Sequence, residues 1–119
     1  MNLLLLVKVA AVMLILDGMW IYTIAGNAFS SMVQNIQGSA MKIRPGGAIV
    51  AYAAMILLFN QFITKESSGW DAFLLGFLAY LIFDGTNYAL IDKWDLKTAV
   101  VDSVWGGCLF WLTSRIVFM

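Results

Sequence analysis

Histidine is absent from this chain of 119 residues, and there is a single cysteine, Cys108. Without imidazole there is no haem or chlorophyll ligation by histidine, no zinc site of the usual kind, and no Ser–His or Cys–His nucleophile pair. One thiol supports neither an internal disulfide framework nor a thiolate metal site. Charge is scarce as well. Seven Lys and Arg balance seven Asp and Glu, and charged residues make up 12% of the chain, about half the share of a soluble domain. With no basic footprint, nucleic-acid binding is excluded. What fills the chain is apolar: 62% of residues are hydrophobic, and mean hydropathy is +0.88. Such a chain cannot cover itself with polar surface in water, which excludes a soluble enzyme and a disordered tail. An integral membrane protein remains, as one domain over residues 1–119.

A bilayer-crossing helix needs roughly 20 mostly apolar residues. Four segments qualify, at about 3–25, 46–63, 70–91 and 98–118. These runs are too long and continuous for barrel strands, and backbone groups in lipid must be satisfied within their own segment. The expected fold is all-α, a four-transmembrane-helix bundle. The first segment reads as a span and not a cleavable leader. It lacks a positive start, and Lys8, Asp17 and Trp20 interrupt a run that should be bland.

Residues 26–45 form the longest connection. Within it Phe29, Met32, Val33 and Ile36 follow the i, i+3, i+4, i+7 pattern, which predicts a short interfacial amphipathic helix from about Phe29 to Ile36, ended by Gly38. Pro45 opens the second span at a tolerated first-turn position. Trp94, amid the alternating Asp and Lys of residues 92–97, reads as an interfacial anchor. Four crossings put both termini on one side. The opposite side, called here the loop side, carries Lys42, Arg44, Lys93 and Lys97. Lys8, Lys65 and Arg115 belong to the terminal side, so the positive-inside rule favours a cytoplasmic loop side only slightly, and the orientation stays open.

Asp17, Asp84 and Asp102 fall inside the spans. Each costs about 2.5–3.5 kcal/mol on insertion scales, and intramembrane acids are functional-site candidates by default. At ~1.5 Å per residue, Asp17 lies about 12 Å, Asp84 about 10 Å and Asp102 about 6 Å from the loop side. Three carboxylates on three helices therefore reach one layer. Tyr52 comes to a similar depth, Asn87 follows Asp84 by three residues on the same face, and Thr86 is placed to hydrogen-bond locally. Trp20 and Trp105 each follow an Asp by three, so each indole is expected to share a face with its own carboxylate. No Lys or Arg reaches this depth, and towards the terminal side the stretches 3–7, 53–59, 73–78 and 109–112 hold nothing ionisable. The pattern is a polar pocket open to the loop side and plugged towards the other. Interhelical hydrogen bonding alone would explain such residues, but that role needs no charge. Three acids without an internal base point to shared protons or a bound cation.

In these residues the chain resembles a family of small four-helix membrane proteins, domain of unknown function 2177. The resemblance covers nearly the whole chain. It rests on Asp17-x-x-Trp20, Tyr52, Gly76, Tyr80, Asp84-x-Thr86-Asn87-x-Ala89, Trp94 and Asp102-x-x-Trp105-Gly106. It implies a four-span fold and one shared site, to which it adds Tyr80, and it supplies no activity.

The leading expectation is binding or translocation of a proton or small cation by the carboxylate layer. One protomer is thin for a pore, so that reading carries a homo-oligomer with it. Two alternatives stand beside it. One is a membrane-embedded enzyme acting on a lipid or isoprenoid, with Asp and Tyr as acid and base or the three Asp holding Mg²⁺. The other is an accessory subunit of a membrane complex. No resident cofactor is expected beyond a cation at the Asp cluster, and the residues leave open whether the chain is an enzyme. The expected partners are the bilayer and a proton, small cation or lipid-like ligand.

Overall fold

A computed structural model describes residues 2–119, and every regular element among them is helical. The first helix, α1 (Leu3–Trp20), begins at Asn2, whose side chain accepts the Leu5 N–H at 3.2 Å. It passes through a π turn (Ile21–Ala25) into α2 (Gly26–Gln37), giving one continuous helical stretch from Leu3 to Gln37. The wide turn has a local cause. The Gly26 N–H donates to the Ile21 carbonyl, five residues back, and a Cβ on Gly26 would lie 2.6 Å from that carbonyl oxygen. Glycine leaves the room this geometry needs. A π turn adds one residue to the helix and so turns everything beyond it by about 100°.

The amphipathic segment therefore differs from its sequence expectation. It is no separate helix in a loop but the continuation of the first helix, running from Gly26 to Gln37 and stopped by left-handed Gly38 (φ 74°). Nothing between Ala25 and Phe29 breaks a helix, since Gly26 is absorbed by the wide turn. Phe29, Met32 and Ile36 face inward, while Gln34, Asn35 and Gln37 are exposed.

The remaining helices are α3 (Pro45–Phe62), α4 (Gly69–Leu90) and α5 (Leu96–Val117), all within a few residues of the expected spans. Pro45 sits in the first turn of α3. A reciprocal capping box starts α4, with the Asp71 N–H on Ser68 Oγ at 3.0 Å and the Ser68 N–H on Asp71 Oδ2 at 3.1 Å. Asp95 caps α5 by accepting from the Thr98 N–H (2.9 Å) and hydroxyl (2.6 Å). Three stretches are long and apolar enough to cross a membrane: Leu3–Gln37, Pro45–Phe62 and Gly69–Leu90. The fourth long helix, α5, is the central one. It buries the most residues, and its Ser103 and Thr113 hydroxyls donate back to the Ala99 and Leu109 carbonyls at 2.9 and 2.7 Å.

The tightest seam joins α4 and α5. A Cβ on Gly76 would overlap the Gly106 carbonyl, one on Gly106 would overlap the Tyr80 ring, and one on Gly107 would lie 2.5 Å from the Phe73 ring. Helices in lipid gain association from such backbone approach, because lipid tails are as apolar as the side chains they would replace. By contrast α3 leans on α1.

Two apolar cores flank the middle of the bundle. Towards the terminal side Val9, Met13, Phe59, Ile63, Ala72, Leu109 and Phe110 form one, with Phe59 and Phe110 edge-to-face at 5.9 Å. Towards the loop side Met32, Trp94 and Ala99 form the other. Trp94, expected as an interfacial anchor, is 9% exposed and lies beneath Phe29 and Phe83. The cause is α2, which folds over the α4–α5 connection and covers it. Lys93 Nζ reaches the Asn35 carbonyl at 3.1 Å, and the Asp95 N–H points at Met32 Sδ at 3.2 Å.

Candidate functional site

Asp17, on the inner face of α1, is 6% exposed. Trp105 Nε1 of α5 donates to its Oδ1 at 2.9 Å, and the Tyr52 hydroxyl of α3 donates to its Oδ2. Both carboxylate oxygens are thus occupied, and the residue ties three helices together. A shared face is not a hydrogen bond, and Trp105 donates to the Asp of another helix. Trp105 serves Asp17 because α1 and α5 pack side by side, and Trp20 stacks on Trp105 at 4.7 Å with planes 8° apart. The Trp20 indole N–H is left buried without a partner.

The other two acids form a pair on the α4–α5 seam. Asp84 is 1% exposed and Asp102 9%. They come from facing turns of the two helices, since Asp84 accepts from Ser103, the residue next to Asp102. Ser103 Oγ donates to Asp84 Oδ2 at 3.4 Å, while Asp84 Oδ1 has no partner. The glycine seam is what permits this. Gly106 lies one turn below Asp102, so the two backbones are already close when the acids meet.

Beside the pair opens a cavity of about 490 Å³. Asp17, Asp102, Tyr52 and Tyr80 supply its polar wall, and Trp20, Phe29, Met55 and Phe83 much of the apolar one. The π turn contributes Ile21 and Ala25, and Met41 and Ile43 lie at its loop-side end. The Tyr80 hydroxyl contacts Met55 Sδ at 3.7 Å across the gap between α4 and α3. No Lys or Arg lines this cavity. A smaller cleft of about 280 Å³ lies on the other side of Trp20 and includes Asp102 and Lys97.

The structure thus gathers Asp17, Trp20, Tyr52, Tyr80, Asp102 and Trp105, with Asp84 directly behind Asp102. It does not bring Thr86 or Asn87 into the site. Thr86 is exposed, and Asn87 is half-buried and lines neither cavity. Depth alone does not place a side chain. Thr86 is about 200° around the helix from Asp84, and the Asn87 carbonyl takes the closing N–H of Ile91 at 2.8 Å. Among the described residues no three acidic side chains converge as metal ligands. Asp17 is turned to Tyr52 and Trp105, so the residues do not fit the three-carboxylate Mg²⁺ arrangement.

Sequence reasoning did not pick out Ser103, Met55 or the π turn. Ser103 had a readable signal, a hydroxyl next to Asp102 in a long helix. Met55 and the π turn had none, because methionine in an apolar helix reads as filling and a one-residue shift in helical phase leaves no mark in a hydrophobic run.

A bundle of long apolar helices closed around buried acids defines a small helical membrane protein. The chain belongs to the family described as Predicted membrane protein (DUF2177), whose model matches residues 2–119. No curated protein and no solved structure matches it.

Proposed function

We propose that the protein binds a proton or a small monovalent cation within the membrane, at the Asp84–Asp102 carboxyl pair. The observation that carries this reading is the pair itself: two carboxyl groups at most 9% exposed on the tight α4–α5 seam, with Ser103 beside Asp102 bonded to Asp84. Two such groups cannot both carry charge side by side unless a proton or a cation lies between them. Asp17 then acts as a positioning acid. It holds Tyr52 and Trp105, and through them the cavity wall, in place.

The terminal-side core of Val9, Met13, Phe59, Leu109 and Phe110 supports binding with access from one side. Passage across the membrane would require that core to part. In this reading α5 is the fourth crossing. Its 22 residues extend about 33 Å at ~1.5 Å each, enough for a hydrocarbon core of about 30 Å, and α1 and α4 cover its polar groups. Both termini then share one side, opposite the side that carries Lys42, Arg44, Lys93 and Lys97. The size and apolar walls of the cavity favour a second reading, an enzyme acting on a lipid or isoprenoid with an Asp and Tyr52 or Tyr80 as acid and base.

The test is calorimetric titration of the protein in lipid nanodiscs with Na⁺, K⁺ and methylammonium, in buffers of different protonation enthalpy. Binding of at least one cation with about one proton released per site is expected, and Asp102→Asn abolishes it. Wild-type protein that shows neither binding nor proton exchange contradicts the proposal.

A further inference from the structure

The cavity is far larger than a bare ion requires. At about 30 Å³ per water-sized group, its 490 Å³ takes on the order of sixteen such groups, within the roughly 300–1,000 Å³ range of sites for small organic ligands. Resting on the carboxyl-pair reading, we propose that the occupant is a lipophilic amine: an apolar molecule with one protonated nitrogen, drawn sideways from the bilayer between α3 and α4.

Three features support this class of ligand. The first is charge. Asp102 is nine-tenths buried and lines the cavity, Asp84 behind it has an oxygen with no partner, and no Lys or Arg lines the same space. A phosphate or carboxylate head would meet carboxyl groups there and no cation to balance it. Lys97 belongs to the smaller cleft beyond Trp20, and Lys42 and Arg44 flank Met41 and Ile43 at the loop-side end without lining the cavity. The second is the wall. Trp20, Tyr52, Tyr80 and Phe83 surround the acids, and aromatic faces attract an ammonium group through the ring quadrupole, more strongly when water is excluded. The third is the opening. In this half of the bundle Ala51, Tyr52 and Met55 of α3 face Ala79, Tyr80 and Phe83 of α4 across the cavity. Here α3 is held by α1 and meets α4 through the Tyr80–Met55 contact. Ala51 and Ala79 line the cavity and are small, and neither is buried, so the proposed passage to the lipid-facing surface runs between them. An amine can place its nitrogen at Asp102 and trail its chain outward through that passage.

The probes are dodecylamine, dodecanol and dodecanoate, equal in chain length and different in head. Each is titrated into nanodisc-embedded protein at matched membrane concentration and read by the emission of the stacked Trp20–Trp105 pair. Saturable binding of dodecylamine, at least about tenfold tighter than dodecanol, is expected, with Asp102→Asn erasing that preference. Two variants that fill the passage without touching the acids, Ala51→Trp and Ala79→Phe, should lose dodecylamine while keeping methylammonium binding and its proton release. If wild type prefers dodecanol or dodecanoate, or both passage variants bind dodecylamine as wild type does, the proposal is overturned. If methylammonium binding and proton release persist in that case, the carboxyl-pair reading survives. If they are absent from wild type, both readings fail.

Discussion

Replacing Tyr52 with Phe removes one hydroxyl and leaves the ring. In the structure that hydroxyl donates to Asp17 Oδ2, and Asp17 is 6% exposed. The structure gives that carboxylate oxygen no other donor. A hydrogen bond to a charged group contributes about 1.5–3 kcal/mol in proteins generally. Interhelical bonds within membranes average about 0.6 and reach about 1.7 kcal/mol, because the separated helices also find partners. The burial of Asp17 puts this bond at the upper end, so a loss of about 1–2 kcal/mol is expected for Tyr52→Phe. The effect should be local, since α3 leans mainly on α1. Hydrogen exchange should rise along α3 around Tyr52 and stay unchanged on the α4–α5 seam. Reversible unfolding in mixed detergent micelles gives the magnitude, and the cycle with Asp17→Asn gives the coupling, expected at about 0.5–2 kcal/mol. Cation binding by the Asp84–Asp102 pair should survive Tyr52→Phe. A variant as stable as wild type, or additive with Asp17→Asn, would refute the assignment of Asp17 as the tie between helices.

Three further outcomes follow from the same geometry. Gly106→Ala drives a Cβ into the Tyr80 ring and should cost about 1–3 kcal/mol, while also separating Asp84 from Asp102 and so weakening cation binding in calorimetry. Gly26→Ala places a Cβ against the Ile21 carbonyl. Relaxation of the π turn to α would rotate α2 by about 100°, and a cysteine cross-link built between positions 32 and 95 should then fail to form. Asp95 caps α5, and its carboxyl is held below the usual carboxylate range by the Thr98 hydroxyl first and the Thr98 N–H second. Its contribution is therefore complete above the unfolded value of about 3.9 and is lost as pH falls through the lower folded value. Exchange at the start of α5 should accelerate under acid in wild type and be fast at every pH in Asp95→Ala.

The helix boundaries were legible because a long uninterrupted apolar run leaves the chain few choices. Pro45, the Ser68–Asp71 box and Asp95 set the helix starts within a few residues of that reading. The position of each acid along its helix was equally legible, since rise per residue is fixed. Direction around the helix was not. A helix that is apolar on all sides gives no phase: Asn87, expected to share a face with Asp84, lines neither cavity, and Thr86 is exposed. The pairing of Trp105 with Asp17 depends on which helices neighbour each other, which spacing within one helix does not encode. The π turn shifts α2 by one residue, and with it Phe29 and Met32 come to cover Trp94.

The central claim is that Asp84 and Asp102 work as one proton- and cation-holding pair. Infrared difference spectroscopy on ion-free protein at neutral pH tests it most directly. A protonated-carboxyl band is expected in wild type, diminished by added cation, and lost or shifted in both Asp84→Asn and Asp102→Asn, because the proposed site is one proton held between the two carboxyl groups. The band should persist in Tyr52→Phe. Ion-free wild-type protein with no protonated-carboxyl band, or a band indifferent to both substitutions, would contradict the account.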